Sequence, residues 1–189
     1  LSTLKRSGKT SLDTVFAVNF LAGVMSAQGR DEEALQLGKA ALKILSDIEA
    51  PSDSKIVGLT KFMIARNLSR TGKWKEASDL FHTVSKEMVE NRAAYLEVER
   101  KSSDLPLTLI KTGAAEGALK LLRPQYEVNK KRMGIKHFNT AKKGALIAAA
   151  LTLQGKKPEA LKLFQSSTPI LLSKSRQSNN SETENVAST

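Results

Sequence analysis

The stretch Leu21-Ala22-Gly23-Val24-Met25-Ser26-Ala27-Gln28-Gly29-Arg30-Asp31-Glu32-Glu33-Ala34-Leu35-Gln36-Leu37 carries a pattern that returns three more times along the chain. Its frame is a glycine followed five residues later by an alanine. Gly29 pairs in this way with Ala34, Gly72 with Ala77, Gly113 with Ala118 and Gly155 with Ala160, so the glycines are 43, 41 and 42 residues apart. Other positions keep step. Eight residues before the glycine stand Leu21, Ile64, Leu105 and Ile147; seven before it, Ala22, Ala65, Pro106 and Ala148. Four before it stand Met25, Leu68, Leu109 and Leu151, and eight after it Leu37, Leu80, Leu121 and Leu163.

At 3.6 residues per turn, the three positions ahead of the glycine share one side of a helix, which gives each unit an apolar stripe. The glycine supplies the left-handed conformation that ends this helix. The alanine is small where a second helix must cross the first. Each unit is therefore a helical hairpin that cannot bury its own stripe, and neighbours must stack to make a core. The spacing predicts helices near 12–28, 31–47, 54–70, 73–90, 93–111, 115–131, 138–154 and 157–172. The linker Ala50-Pro51-Ser52-Asp53 separates the first two hairpins. Pro106 falls inside a first helix, where it should kink or break it unless Asp104 caps a short helix starting there.

Apolar–Ala–x–x–apolar before a glycine, with alanine five residues on, resembles the tetratricopeptide repeat. A period near 42 rather than about 34 is similar to the longer variety found in kinesin light chains and many bacterial proteins. That variety opens its first helix on a His-Pro-x-Thr-Ala-like motif. Here the fourth unit reads His137-Phe138-Asn139-Thr140-Ala141, with Phe in place of Pro, and the first reads Ser11-Leu12-Asp13-Thr14-Val15. Thr or Asp at such a start would cap free amide groups. The expected fold is all-α, a right-handed solenoid of about four stacked hairpins over 11–173. Residues 1–10 then form the end of a preceding repeat or a linker, and 174–189 a disordered polar tail.

A narrower resemblance concerns Thr168-Pro169-Ile170-Leu171-Leu172-Ser173-Lys174-Ser175-Arg176-Gln177. This run is similar to the last helix of repeat arrays that precede caspase-like CHAT peptidase domains in bacterial proteins. The resemblance implies that a catalytic His and Cys would lie outside this chain. Opening on Leu1 rather than Met is expected of a piece of a larger protein.

The chain has 189 residues and no cysteine, which excludes a disulfide framework, a thiolate metal site and a cysteine nucleophile within it. The longest strongly apolar run, 144–153, is roughly half of what a bilayer requires. No signal peptide opens it, and a cytoplasmic setting is expected. The two histidines, His82 and His137, lie in different repeats, short of a zinc cluster or a catalytic triad. The glycines are spaced as helix terminators rather than as a phosphate loop. Glu32 and Glu33 begin a helix, where carboxylates complement the dipole. Of the aromatics Trp74 and Tyr95, Trp74 opens a second helix directly after Gly72 and is read as a packing residue. No catalytic residue, metal or cofactor is expected.

In the family resembled, first helices line the concave surface, with residues 13, 10, 6 and 3 before the glycine pointing into it. Carried over, these are Phe16, Asn19, Gly23 and Ser26; Leu59, Phe62, Arg66 and Ser69; Arg100, Ser103, Leu107 and Ile110; and Lys142, Ala145, Ala149 and Thr152. The strongest candidates for a partner-binding groove are Phe16, Asn19, Phe62, Arg66, Arg100 and Lys142. Asn19 matches an asparagine that in such repeats bonds the backbone of an extended peptide. Arg66 and Lys142 could hold a carboxylate.

The net charge of +11 is concentrated late in the chain: from Glu116 to Arg176 there are thirteen Lys or Arg against three acids. Within it, Lys130, Lys131, Arg132 and Lys136 form a basic patch that attracts acidic partners, nucleic acid included. Only Tyr126 and Phe138 lie near it for base stacking. The first expectation is a scaffold for a protein or an extended peptide with some acidic character. The alternative is a basic repeat module that binds nucleic acid through its C-terminal half.

Overall fold

The computed structural model describes residues 2–88, 91 and 102–187, with side-chain surroundings over 12–88, 91 and 102–173. Eight helices and no strand occur among the described residues: α1 (Ser2–Ala27), α2 (Asp31–Asp47), α3 (Lys55–Arg70), α4 (Trp74–Glu87), α5 (Asp104–Lys111), α6 (Ala115–Met133), α7 (Phe138–Leu153) and α8 (Lys157–Ala187). They form two compact units, Leu1–Thr108 and Leu109–Thr189.

The four glycines act as their spacing requires. Gly29, Gly72, Gly113 and Gly155 have φ of 78°, 80°, 82° and 75°. Each turn closes with the same two bonds. The residue after the glycine donates its amide to the carbonyl four before the glycine, as in Arg30 to Met25 (2.9 Å), Lys73 to Leu68 (2.8 Å), Ala114 to Leu109 (2.7 Å) and Lys156 to Leu151 (3.0 Å). The glycine amide bonds the carbonyl three before it, 3.0–3.2 Å away. This is the Schellman pattern that satisfies the last carbonyls of a helix. Helices α2, α4 and α6 start without a side-chain cap, and in all four repeats the amide of the +5 alanine closes the first turn: Ala34 to Arg30, Ala77 to Lys73, Ala118 to Ala114, Ala160 to Lys156. All four alanines are buried, as the close crossing requires.

In the first unit Val15, Ala41, Leu45 and Val57 form a core joining α1, α2 and α3. Phe62 of α3 meets Phe81 of α4 edge to face, with centroids 5.2 Å apart. In the second unit Leu119, Leu122 and Tyr126 of α6 close on Ile147, Ala148 and Leu151 of α7, with Ala160 of α8 joining them.

Several boundaries differ from the sequence reading. Helix α1 starts at Ser2 rather than near residue 12, so Asp13 and Thr14 lie mid-helix rather than at its start. In the fourth unit the cap is His137, whose Nδ1 accepts the Asn139 amide at 3.2 Å; Thr140 is buried inside α7 and its hydroxyl has no partner. Helix α5 begins at Asp104, the shorter of the two readings, and the Ser102 hydroxyl accepts the Asp104 amide. Pro106 is thus the third residue of its helix, where the missing N–H costs no intrahelical bond. The first part of the 93–111 reading, with Tyr95, lies outside the described residues. Helix α8 runs on to Ala187, across most of the segment read as a tail: after Pro169 the sequence contains neither glycine nor proline to stop it.

Candidate functional site

The first helices of the first unit, α1 and α3, lie side by side and are joined by polar side chains about one repeat apart. Asn19 Nδ2 donates to Thr60 Oγ1 at 2.7 Å. The Ser26 hydroxyl lies 2.8 Å from the Asp31 carboxylate and 3.0 Å from Asn67 Oδ1, and accepts from Arg70 Nη1 at 3.0 Å. Its single proton serves one acceptor at a time. Arg70 also donates to the Ser26 carbonyl and pairs with Asp31 (3.6 Å) and Asp104 (3.4 Å). Thr108 of α5 donates to Ser69 at 2.8 Å. Ser26, Thr60, Asn67, Ser69 and Thr108 are buried, so this ladder holds helices together rather than facing solvent.

That ladder changes the standing of several expected groove residues. Phe62 is not a lining residue; it is buried against Phe81. Ser26 and Ser69 are inside the ladder. Asn19 is half-buried and its amide is committed to Thr60, leaving its Oδ1 without a partner. Phe16 is exposed, and Leu59 is half-buried. A Cβ built on Gly23 would meet nothing within 4 Å, so the surface there is open. Arg100 lies outside the described residues.

Arg66, at the same register on α3 as Gly23 on α1, stands apart from its neighbour Arg70. It is half-buried and no group among the described residues bonds its guanidinium; its Nε is shielded from water and unpartnered. Burial lowers its pKa from the usual arginine value, Arg70 adds to the lowering, and Asp104 and Asp31 oppose it. An arginine stays charged under these conditions. The result is a partly desolvated cation with donors to spare, a place where an incoming carboxylate would gain more than it would in open water.

In the second unit Lys142 is exposed on α7, while its neighbour Lys143 is buried, donates to Gln125, and has its pKa lowered by burial and by Lys142. Lys130, Lys131 and Arg132 occupy the last turn of α6, where the helix dipole favours cations, and Lys136 follows Gly134; all four are exposed. Lys130 also lies 3.8 Å from Glu127. Tyr126 is in the core and Phe138 is half-buried. The exposed apolar residues around the patch are Val128, Met133 and Ile135, which offer no aromatic face. Among the described residues, no group of three His, Asp or Glu could hold a metal ion, and no helix is long and apolar enough to cross a membrane.

The interhelix ladder was not foreseen, although a signal for it exists: Asn19–Thr60 and Ser26–Asn67 are both 41 residues apart, as is the Lys73–Glu32 pair at 3.3 Å. Polar residues recurring at just under one repeat mark such rungs.

No family model matches this sequence, and no curated protein matches it. Solved structures do. A Podosopora anserina protein of the kinesin-light-chain type, with nearly identical TPR-like repeats, is 18% identical with a TM-score of 0.55 over 92% of this chain and 86% of that one. A variant of the same protein gives 0.57 over 92% and 85%. BtubC (BKLC) from P. vanneervenii is 14% identical with a TM-score of 0.55 over 85% of this chain and 64% of its own. The fold is that of an all-α, TPR-like repeat solenoid.

Proposed function

We propose that this chain is a non-catalytic, protein-binding repeat scaffold, and that the face formed by α1 and α3 receives an extended peptide segment of acidic character. Arg66 is the observation that carries the reading. A half-buried guanidinium without a partner among the described residues is an unfavourable arrangement on its own, and a ligand carboxylate gripped through two parallel N–H groups would relieve it. Beside it, open space at Gly23 leaves room for a peptide backbone, and Phe16 offers an exposed ring.

The test is selection from a displayed random-peptide library. The parent chain enriches sequences with Asp or Glu, and Arg66→Met loses that enrichment. Enrichment of the same sequences by both would refute the role of Arg66.

In its larger setting, we read the chain as the interaction or regulatory part of a longer cytoplasmic protein, with a CHAT-type peptidase as the attached domain suggested by the run from Thr168 to Gln177. Expressing the complete coding sequence and assaying it for peptidase activity tests this. The nucleic-acid reading draws on the exposed Lys130, Lys131, Arg132 and Lys136. It predicts affinity that falls steeply with salt, whereas a peptide with apolar anchors would respond less.

A further inference from the structure

The repeat allows each position to be compared with its counterparts. Eight residues before the turn glycine, Ile64, Leu105 and Ile147 are 4%, 7% and 3% exposed, but Leu21 is 45% exposed. Five before it, Asn67, Thr108 and Ala150 are fully buried, but Val24 is 38% exposed. Phe20, next to Leu21 and one turn before Val24 on α1, is 76% exposed. The later hairpins show what covers this face. Cγ1 of Ile64 sits over Gly38 of α2, and Ile147 shares a core with Leu119 and Leu122 of α6. In both cases the covering element is the second helix of the preceding hairpin.

Helix α8 shows the converse. Six and nine residues after the glycine, Leu35 and Gly38 of α2 and Leu119 and Leu122 of α6 are buried. In α8 the same two positions are Leu161, 55% exposed, and Phe164, 36% exposed. Thus α1 presents the surface that a second helix covers elsewhere, and α8 the surface that a first helix covers elsewhere. They are the two halves of an interface that the chain already builds internally, α2 on α3 and α6 on α7.

We propose that the chain associates with itself head to tail, α8 of one copy seated on α1 of the next, with Leu161 and Phe164 against Leu21, Val24 and Phe20. Charge favours this pairing over α8 on α8. Residues 109–189 carry fourteen Lys or Arg and five acids, so two such halves repel, whereas residues 1–108 carry sixteen against fourteen. A pairing of α1 on α1 would leave the α8 surface uncovered. The contact is heterologous and leaves a free half at each end, so assembly continues beyond the dimer as concentration rises.

The experiment compares the parent with Leu21→Asp and Leu161→Asp, both changes at exposed sites, by sedimentation equilibrium over a wide concentration range. Circular-dichroism melts serve as the check on folding, with Val24→Asp in reserve for α1 and Phe164→Asp for α8. The parent should rise in mean mass past the dimer, and each variant alone should remain monomeric. An equimolar mixture of the two variants retains one intact α8 surface and one intact α1 surface, and should give a one-to-one dimer that grows no further. A parent that stays monomeric overturns the proposal. So does a mixture that stays monomeric, or a single variant that dimerises on its own, which would mean α1 on α1 or α8 on α8.

Discussion

A methyl group added to Gly38 of α2 would lie 2.9 Å from Cγ1 of Ile64 on α3, closer than carbon atoms tolerate. The hairpins of the first unit are seated through this contact, glycine on one helix beneath a branched side chain on the next. Gly38→Ala would gain about 1 kcal/mol of helix propensity, but overpacking costs about 1–3 kcal/mol. The net result should be a loss, and in the background of Ile64→Ala, which removes Cγ1, Gly38→Ala should cost less than it does in the parent. Denaturant midpoints of the parent, Gly38→Ala, Ile64→Ala and the double variant measure the coupling.

Asn19→Ala should destabilise the chain by about 1 kcal/mol, because the bond to the buried Thr60 hydroxyl is lost. The sequence reading placed Asn19 on the groove face with its amide free for a peptide, for which the change would be near neutral to stability. Thermal melting separates the two.

Gly23 lies in mid-helix with open space beside it. Gly23→Ala should therefore stabilise by about 0.5–1 kcal/mol and leave peptide binding intact. Gly23→Trp should fold and melt much like the parent, yet fail to bind any peptide that the parent selects. Unchanged binding by the tryptophan variant would place the peptide elsewhere.

Lys143 gives a pH signature. Its folded-state pKa is lowered, by burial first and by Lys142 second, so the folded chain releases this proton at lower pH than the unfolded chain does. Between the two values the unfolded state holds more protons, and stability contributed by this group rises with pH. Measured as pH climbs toward the unfolded lysine value near 10.4, the parent should gain stability relative to Lys143→Met. A flat difference would mean that the ammonium is not penalised in the fold.

The architecture was largely legible because it rests on local chemistry. Glycines at φ near 80° and alanines at crossings are demands that one residue type meets, and they repeat. What was not legible depends on which helix lies alongside. Asn19 and Phe62 hold the same place ten residues before their glycines, yet one bonds across to α3 and the other inserts against Phe81 of α4. The difference lies in the partners, which the register alone does not name. The limits of α1 and α8 escaped for another reason: no helix breaker stands where the apolar pattern fades, so the helix outlasts its stripe.

The central claim is that Arg66, rather than the basic end of α6, holds an acidic partner. It is tested most directly by measuring the binding of a peptide selected by the parent to three proteins: the parent, Arg66→Met, and the triple change Lys130→Glu, Lys131→Glu, Arg132→Glu. Arg66→Met removes a half-buried charge that has no partner among the described residues, so it should fold at least as stably as the parent while binding is lost. The triple variant should bind with affinity close to that of the parent. Retained binding by Arg66→Met together with loss in the triple variant would contradict the account and move the site to the basic patch.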